Sequence, residues 1–555
     1  MAADIVIRGG DVIDGTGSPR RRADVAITDG VISDIGTGLS GRRELDAGGR
    51  VVTPGFIDIH THYDAQVFWD PDLTPSSHHG VTSVVAGNCG FSIAPVRPEL
   101  VQLLARTLQH VEDMNLDTLT VGVPWDEFET FPQYLDAVAR RGTALNFGCY
   151  VGHTALRLWA MGEDGYERAP TDDELTRMRA AVAAAMDAGA VGFATSASPT
   201  HNGDMGRPVP SRLAPIEEVR ALAEPLRDAG RGVVAMLPGG VFKNEQVFEL
   251  QQQLGRPITW TALLTVKGLP YHERVMAEHA EARARGVDVW PQVSCRPLVF
   301  QMNLADPFTL NMRESFRALM GASLEERLAA YRDPSWRAAA WEELQGRGAI
   351  PFNFSALSVA ESDRRPDLVG RSVPELAEEQ GVTPLDVMLD LSLEDGLRTR
   401  FWSVLANDDP DGIAWLLPRD DVLLGLADSG AHVGQLCDAC FATDLLGPWV
   451  RDRGVMPLER AIHKLTGEPA AVYGLGDRGV LRPGAAADVA VFDPDTVAPG
   501  PLHRIRDFPA DGERLTADAP VGMDHVLVNG VPIRVDGQND AEGLAARPGV
   551  MLGRP

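Results

Sequence analysis

One stretch constrains this chain more than any other: residues 51–64, VVTPGFIDIHTHYD. A β-branched pair, Val51 and Val52, leads through Thr53-Pro54-Gly55 into the apolar run Phe56-Ile57-Asp58-Ile59, which ends in His60-Thr61-His62. Side chains on a strand alternate faces, so residues two apart point the same way. His60 and His62 are expected to aim at one point, about 7 Å apart along the backbone, from the C-terminal end of a buried strand. Two neutral imidazoles converging in this way suit a borderline metal such as zinc. Two ordinary surface histidines at a strand end are the bland alternative, and the PGFID context after a β-rich lead-in weighs against it.

The lead-in, residues 4–53, reads as short strands punctuated by Gly-Gly and Asp-Gly, which is hairpin chemistry. Residues 484–497 and 524–538 have the same texture, including an Asn-Gly turn at 529–530. The two β-rich ends are expected to pair into one small β-sandwich (1–53 plus 480–540), with 541–555 as a loose tail. Between them, apolar strand candidates end at His62 and then recur at 82–90, 144–153, 190–198, 232–238, 258–267, 287–294 and 421–432. Helical patterns separate most of them. One is TDDELTRMRAAVAAAMDAG (171–189), whose Thr-x-x-Glu opening is a capping box and whose Gly189 is a stop signal. Eight such units predict an α/β fold, a (β/α)8 barrel over 54–479 with its active site at the strand C-termini. The stretch 295–418 is too long for one loop and is expected to be a helical insertion. It includes 323–346, a helical pattern broken at Pro334.

Composition narrows the partners. A net charge of −27 argues against nucleic acid or an anionic membrane, while leaving room for a small-molecule substrate. No run of about 18 uncharged apolar residues marks a membrane span. The alternating N-terminus reads as a strand and not as a signal peptide. Five cysteines, an odd number, point to a reducing cytoplasm. The chain leaves its oligomeric state open, a homo-oligomer included.

Further chemistry sits at the other strand ends. Cys89, between Asn88 and Gly90, can ligate a metal as a thiolate, or can be a buried inert cysteine. The pieces GFIDIHTHYD, HHGVTSVVAGNCGFSIAP (78–95), GHTALR (152–157), AGAVGFATS (188–196), ADSGAH (427–432) and RGVLRPGAAADVAVFDP (478–494) together resemble the N-acyl-D-amino-acid deacylase (D-aminoacylase) branch of the amidohydrolase superfamily. That resemblance implies a (β/α)8 barrel with a β-sandwich and zinc-dependent hydrolysis of an N-acyl bond on a D-amino acid. It gives His60 and His62 the first-strand ligand places, Cys89 the thiolate place and Asp428 the last-strand carboxylate. It also puts Lys267 where the family's sixth strand carries a lysine. Asp428 closes the apolar strand VLLGLA, so a carboxylate there can take a proton from a metal-activated water, or can simply cap a helix.

The departures matter as much. Where the family has histidines ending strands five and six, this chain reads VVAMLPGG, with Met236, and LLTVKG, with Thr265. Neither is a good zinc ligand. His60, His62, Cys89 and Asp428 remain as a set for one zinc ion rather than two. The aromatic-rich seventh-strand motif is replaced by PQVSCRPL (291–298). His153, Arg157, Lys267 and His432 are weighed as substrate contacts, His153 and His432 also as substitutes for the missing ligands, and Arg157 or Arg296 as a carboxylate clamp. Cys437-x-x-Cys440 reads as buried thiols. His78 and His79 fall on the stability face of the barrel. Ser196 and Ser429 have no evident base partner.

The reading is a metal-dependent hydrolase of a carbon–nitrogen amide bond, with N-acyl-D-amino acids as first substrates and a cyclic amide or imide as the near alternative. Its rivals are a barrel turned to non-hydrolytic metal-assisted chemistry and a non-catalytic protein that kept the fold.

Overall fold

The structure, a computed structural model, describes residues 2–239, 242–305, 307–311, 313–346 and 352–554. Eight parallel strands form one sheet in sequential order: β1 (Phe56–Asp58), β2 (Val81–Ala86), β3 (Asn146–Gly152), β4 (Gly192–Ser196), β5 (Val233–Leu237), β6 (Ile258–Trp260), β7 (Val289–Val293) and β8 (Leu423–Leu424). These are the runs expected from the sequence. They are buried almost throughout, as strands covered on both faces must be. The sheet closes where the His62 N–H donates to the Ser429 carbonyl at 2.6 Å and Thr61 bridges Ser429. The product is a (β/α)8 barrel, so the ends of β1 and β8 are neighbours at the mouth. The helix Asp172–Asp187 carries its capping box, with Thr171 and Glu174 bonded reciprocally.

Strands from both ends of the chain join one nine-stranded sheet. The seam is antiparallel, Val51–Pro54 against Val489–Phe492. A separate apolar core including Ile7, Val25, Val52, Val491 and Leu527 lines it.

Three features differ from the sequence reading. The insertion is not purely helical: Leu298–Asn303, Arg400–Ala406 and Ser358–Glu361 form an antiparallel sheet beside its helices, over a core containing Met302, Phe316, Tyr331 and Phe401. Residues 306, 312 and 347–351 of that insertion lie outside the described ones. A hairpin, His503–Phe508 with Gly512–Thr516, leaves the terminal sheet and reaches the mouth, where the Leu515 N–H donates to the Val433 carbonyl. The last residues are not a loose tail. The Phe147 N–H donates to Val550 O and the Leu552 N–H to Phe147 O, and Leu552 is buried with Val85, Tyr150 and Val191. An apolar leucine finds the open base of the barrel and closes it. Among the described residues no helix is long and apolar enough to cross a membrane.

Candidate metal centre

The histidines of the opening motif extend β1 beyond Asp58, and the alternation of the strand carries both rings to one side, 5.6 Å apart between centroids. Both are fully buried. The Asp58 carboxylate accepts from the His60 N–H at 3.1 Å and from the Ser429 hydroxyl at 3.2 Å, which pins the turn. Burial pushes Asp58 up to about 7, with His60 and Ser429 opposing it.

Cys89 arrives from β2 through an abrupt turn. Gly87 (φ 78°), Cys89 (φ 57°) and Gly90 (φ 82°) are all left-handed, a conformation a cysteine rarely adopts. The Asn88 side-chain amide donates to the Val85 carbonyl at 2.9 Å and holds the turn against the strand it leaves. The strained cysteine presents its Sγ 3.5 Å from His60 Nε2. Asp428, itself left-handed (φ 47°), closes β8 with Oδ1 3.0 Å from His60 Nε2 and 3.6 Å from His62 Nε2. Ligand atoms of His60, His62 and Cys89 all fall within 4.8 Å of one another.

The electrostatics suit a cation. Burial, with the negative charges of Glu112 and Asp428, pushes the Cys89 thiol well above its usual value. A bound cation is what would bring it to the thiolate. Burial disfavours a charged Asp428, yet the hydrogen bond with His60 and the nearby charge of both imidazoles hold it well below the usual carboxylate range. Neither ring nitrogen of the buried His62 has a hydrogen-bond partner. Two imidazoles, one of them orphaned, with a thiol and a carboxylate facing the same point are a donor set that fits zinc.

The structure also corrects several sequence assignments. His153 is buried, with Nδ1 2.8 Å from the Thr195 hydroxyl and Nε2 3.0 Å from Glu218. Arg157 donates to both Glu218 oxygens and to the Gly165 carbonyl. Both side chains are bonded inside a buried network. Lys267 is exposed, on a loop anchored by its own N–H to Asp408. Thr265 is likewise away from the centre, bonded to Asn407 and Asp409. β6 ends earlier than the sequence suggested, and its residue at the site is Thr261, whose hydroxyl is 3.1 Å from His60 Nδ1. Met236 is core. Arg296 pairs with Asp438 and Asp444. Ser196 does have a partner, His201 Nδ1 at 2.8 Å, but burial lowers that histidine to about 3, too weak a base to activate a serine at neutral pH. All five cysteines are free and buried.

His432 is near the centre, with Nε2 3.7 Å from Glu112 Oε2 and its N–H donating to the Glu112 carbonyl at 2.6 Å. Glu112 itself was missed. It ends the helix Val101–Glu112, is buried, and lies 3.9 Å from His62 Nδ1. Burial, reinforced by Asp428 and Asp64, raises its carboxyl well above the usual range. No motif marks it, because its helix lies in a loop after β2 with only amphipathic patterning. A space of about 20 Å³, enough for one water, borders Asp428 and Ser429. It shares Gln66, Gly430 and Val433 with a cavity of about 240 Å³ walled in part by Trp69, Met114 and Phe508.

Comparison with known proteins agrees with this architecture. The model of the amidohydrolase family matches residues 43–534. The D-aminoacylase of Alcaligenes xylosoxydans xylosoxydans is 31% identical over 553 residues, 96% of this chain and 94% of its own. This chain belongs to the amidohydrolase family. Among solved amidohydrolase structures, a D-aminoacylase described by one-metal activation and second-metal attenuation of a binuclear centre superposes with a TM-score of 0.69, at 27% identity and 100% coverage of both chains. The N-acyl-D-glutamate deacylase of Bordetella bronchiseptica, complexed with zinc and a phosphonate mimic of the tetrahedral intermediate, superposes at 0.68, with 26% identity and 100% coverage of both.

Proposed function

We propose that this chain is a metal-dependent amidohydrolase that removes the acyl group from N-acyl-D-amino acids, using one zinc ion held by His60, His62 and Cys89 with Asp428 alongside. The observation that carries the reading is the meeting of these four side chains at the ends of β1, β2 and β8. When bound, zinc supplies Lewis-acid polarisation of a carbonyl and a water acidic enough to react near neutral pH.

The chain's own residues supply the rest. Asp428, ionised and bordering a space the size of one water, is placed to take a proton from the attacking water and pass it to the departing amine. His432 and Glu112 close the mouth beside it through the bond between their backbones. The 240 Å³ cavity beyond Gly430 offers the substrate mixed walls, apolar at Trp69, Met114 and Phe508 and charged at Asp113, Arg400 and Glu513. The absence of histidine at Met236 and Thr261 favours one ion over two. The names of the relatives supply the substrate class.

The test is product analysis of the zinc-loaded protein over N-acyl-D-amino acids, their L-enantiomers and cyclic imides. Release of free amine from D-substrates in preference to L is expected. A loaded protein that frees no amine from any D-substrate contradicts the proposal, and ring opening of an imide alone reassigns the substrate.

A further inference from the structure

His60 is held from behind. Its Nδ1 lies 2.8 Å from Gln292 Oε1, and Gln292 Nε2 in turn lies 3.2 Å from the Thr259 hydroxyl. Thr259 Oγ1 is 3.1 Å from the Trp290 carbonyl. All of these side chains are inside the barrel, with Gln292 and Thr259 fully buried. A carbonyl only accepts, so the Thr259 hydroxyl donates to Trp290 and has lone pairs left for the Gln292 amide N–H. With its nitrogen committed there, the glutamine turns its oxygen toward His60, and an oxygen at 2.8 Å requires a hydrogen on Nδ1. Thr261 Oγ1, 3.1 Å from the same nitrogen, adds a second oxygen on that side. Space for this has been cleared on β8. A Cβ at Gly425 would come within 2.5 Å of Gln292 Oε1, so alanine there would push the acceptor away.

We infer that Gln292, oriented by Thr259, is a positioning residue that keeps a hydrogen on His60 Nδ1, so that Nε2, which faces Asp428 at 3.0 Å, is the nitrogen that yields its hydrogen and is offered to the cation. The inference rests on the metal-site reading above, but not on which amide is cleaved. The chain of donors runs from β7 to β6, back to β7 and across to β1, so it couples the ligand's orientation to the register of three strands. Of its members only Gln292 lies in the stretch PQVSCRPL (291–298). A relay of this kind is worth a factor of about 10–100 in metal affinity in other sites where an outer hydrogen bond orients a metal-bound histidine.

The experiment is nitrogen-15 spectroscopy of the full chain labelled at histidine, zinc-loaded and after chelation, with the His60 signals identified by their loss in His60→Gln. Nδ1 is expected to carry hydrogen in both states, and only the Nε2 signal to move on loading. In Gln292→Leu the His60 Nδ1–H signal shifts and zinc Kd rises about 10–100-fold, whereas Gln292→Glu, which keeps an acceptor oxygen, retains the Nδ1 proton. A bare Nδ1 in the wild-type protein overturns the inference, as does a zinc Kd within twofold of wild type in Gln292→Leu. The wild-type measurement decides even where Gln292→Leu does not fold. A protein that hydrolyses no amide yet shows the Nδ1 proton and the Kd change leaves this inference standing and removes only the proposed substrate.

Discussion

Asp428 is held ionised between two buried imidazoles, and its role is separable from binding. In Asp428→Asn the shape is kept and the proton acceptor lost, so kcat on the best acyl substrate is expected to fall about 10²–10⁴-fold, read by amine release at saturating substrate. A residue away from the centre gives the pH dependence of stability. Burial pushes the Glu218 carboxyl up, but His153 and Arg157 hold it below its ordinary 4.5. A carboxyl lowered on folding adds stability that is fully present above its unfolded value and disappears as pH falls through the folded one. Stability is therefore expected to drop as pH falls below 4.5, and Glu218→Gln to flatten that part of the curve. Glu218→Ala, which strands the buried Arg157 guanidinium, is expected to cost about 3–5 kcal/mol in urea unfolding. The His60 and His62 pair was legible because a spacing of two has one meaning on a strand. Glu112 and Gln292 were not, because a carboxylate on an amphipathic helix and an amide on a strand have many uses, and only tertiary contacts select one.

At the scale of elements, each of the eight barrel strands was legible from its apolar run and flanking glycines, and the capping box of Asp172–Asp187 from its Thr-x-x-Glu pattern. Strand ends were less so. The sixth strand stops at Trp260, and the apolar residues after it belong to a loop, which is why Thr265 and Lys267 were misplaced and Thr261 overlooked. The small sheet of the insertion and the hairpin at 503–516 escaped because their partners are far apart in sequence or carry charges, as Arg504, Arg506 and Arg514 do. The terminal segment escaped because a short peptide with a few scattered apolar residues has no periodicity to read. Leu552 makes it testable. It fills the barrel base, so Leu552→Ala is expected to cost about 2–5 kcal/mol, measured by urea unfolding, with the zinc affinity of the folded protein unchanged.

At the scale of the molecule, strands from the two ends of the chain share a seam, and only Gly55 separates its last residue, Pro54, from β1, which leads to His60. A chain ended at residue 484 would leave Val51–Pro54 paired on one side only, with Ala3–Val12, and the barrel base without Leu552. It is expected to be recovered in the insoluble fraction on expression, and a soluble, cooperatively folding product would show the terminal strands to be dispensable.

The central claim is that a thiol and two imidazoles from two barrel strands grasp one cation, with a carboxylate from a third strand beside it. Cobalt(II) substitution tests it most directly, since a cobalt–thiolate bond has a near-ultraviolet charge-transfer band that imidazole and carboxylate lack. One equivalent of cobalt should produce that band in the wild-type protein and none of it in Cys89→Ser. Wild-type protein that takes up cobalt without the band, or a band that survives Cys89→Ser, would contradict the claim.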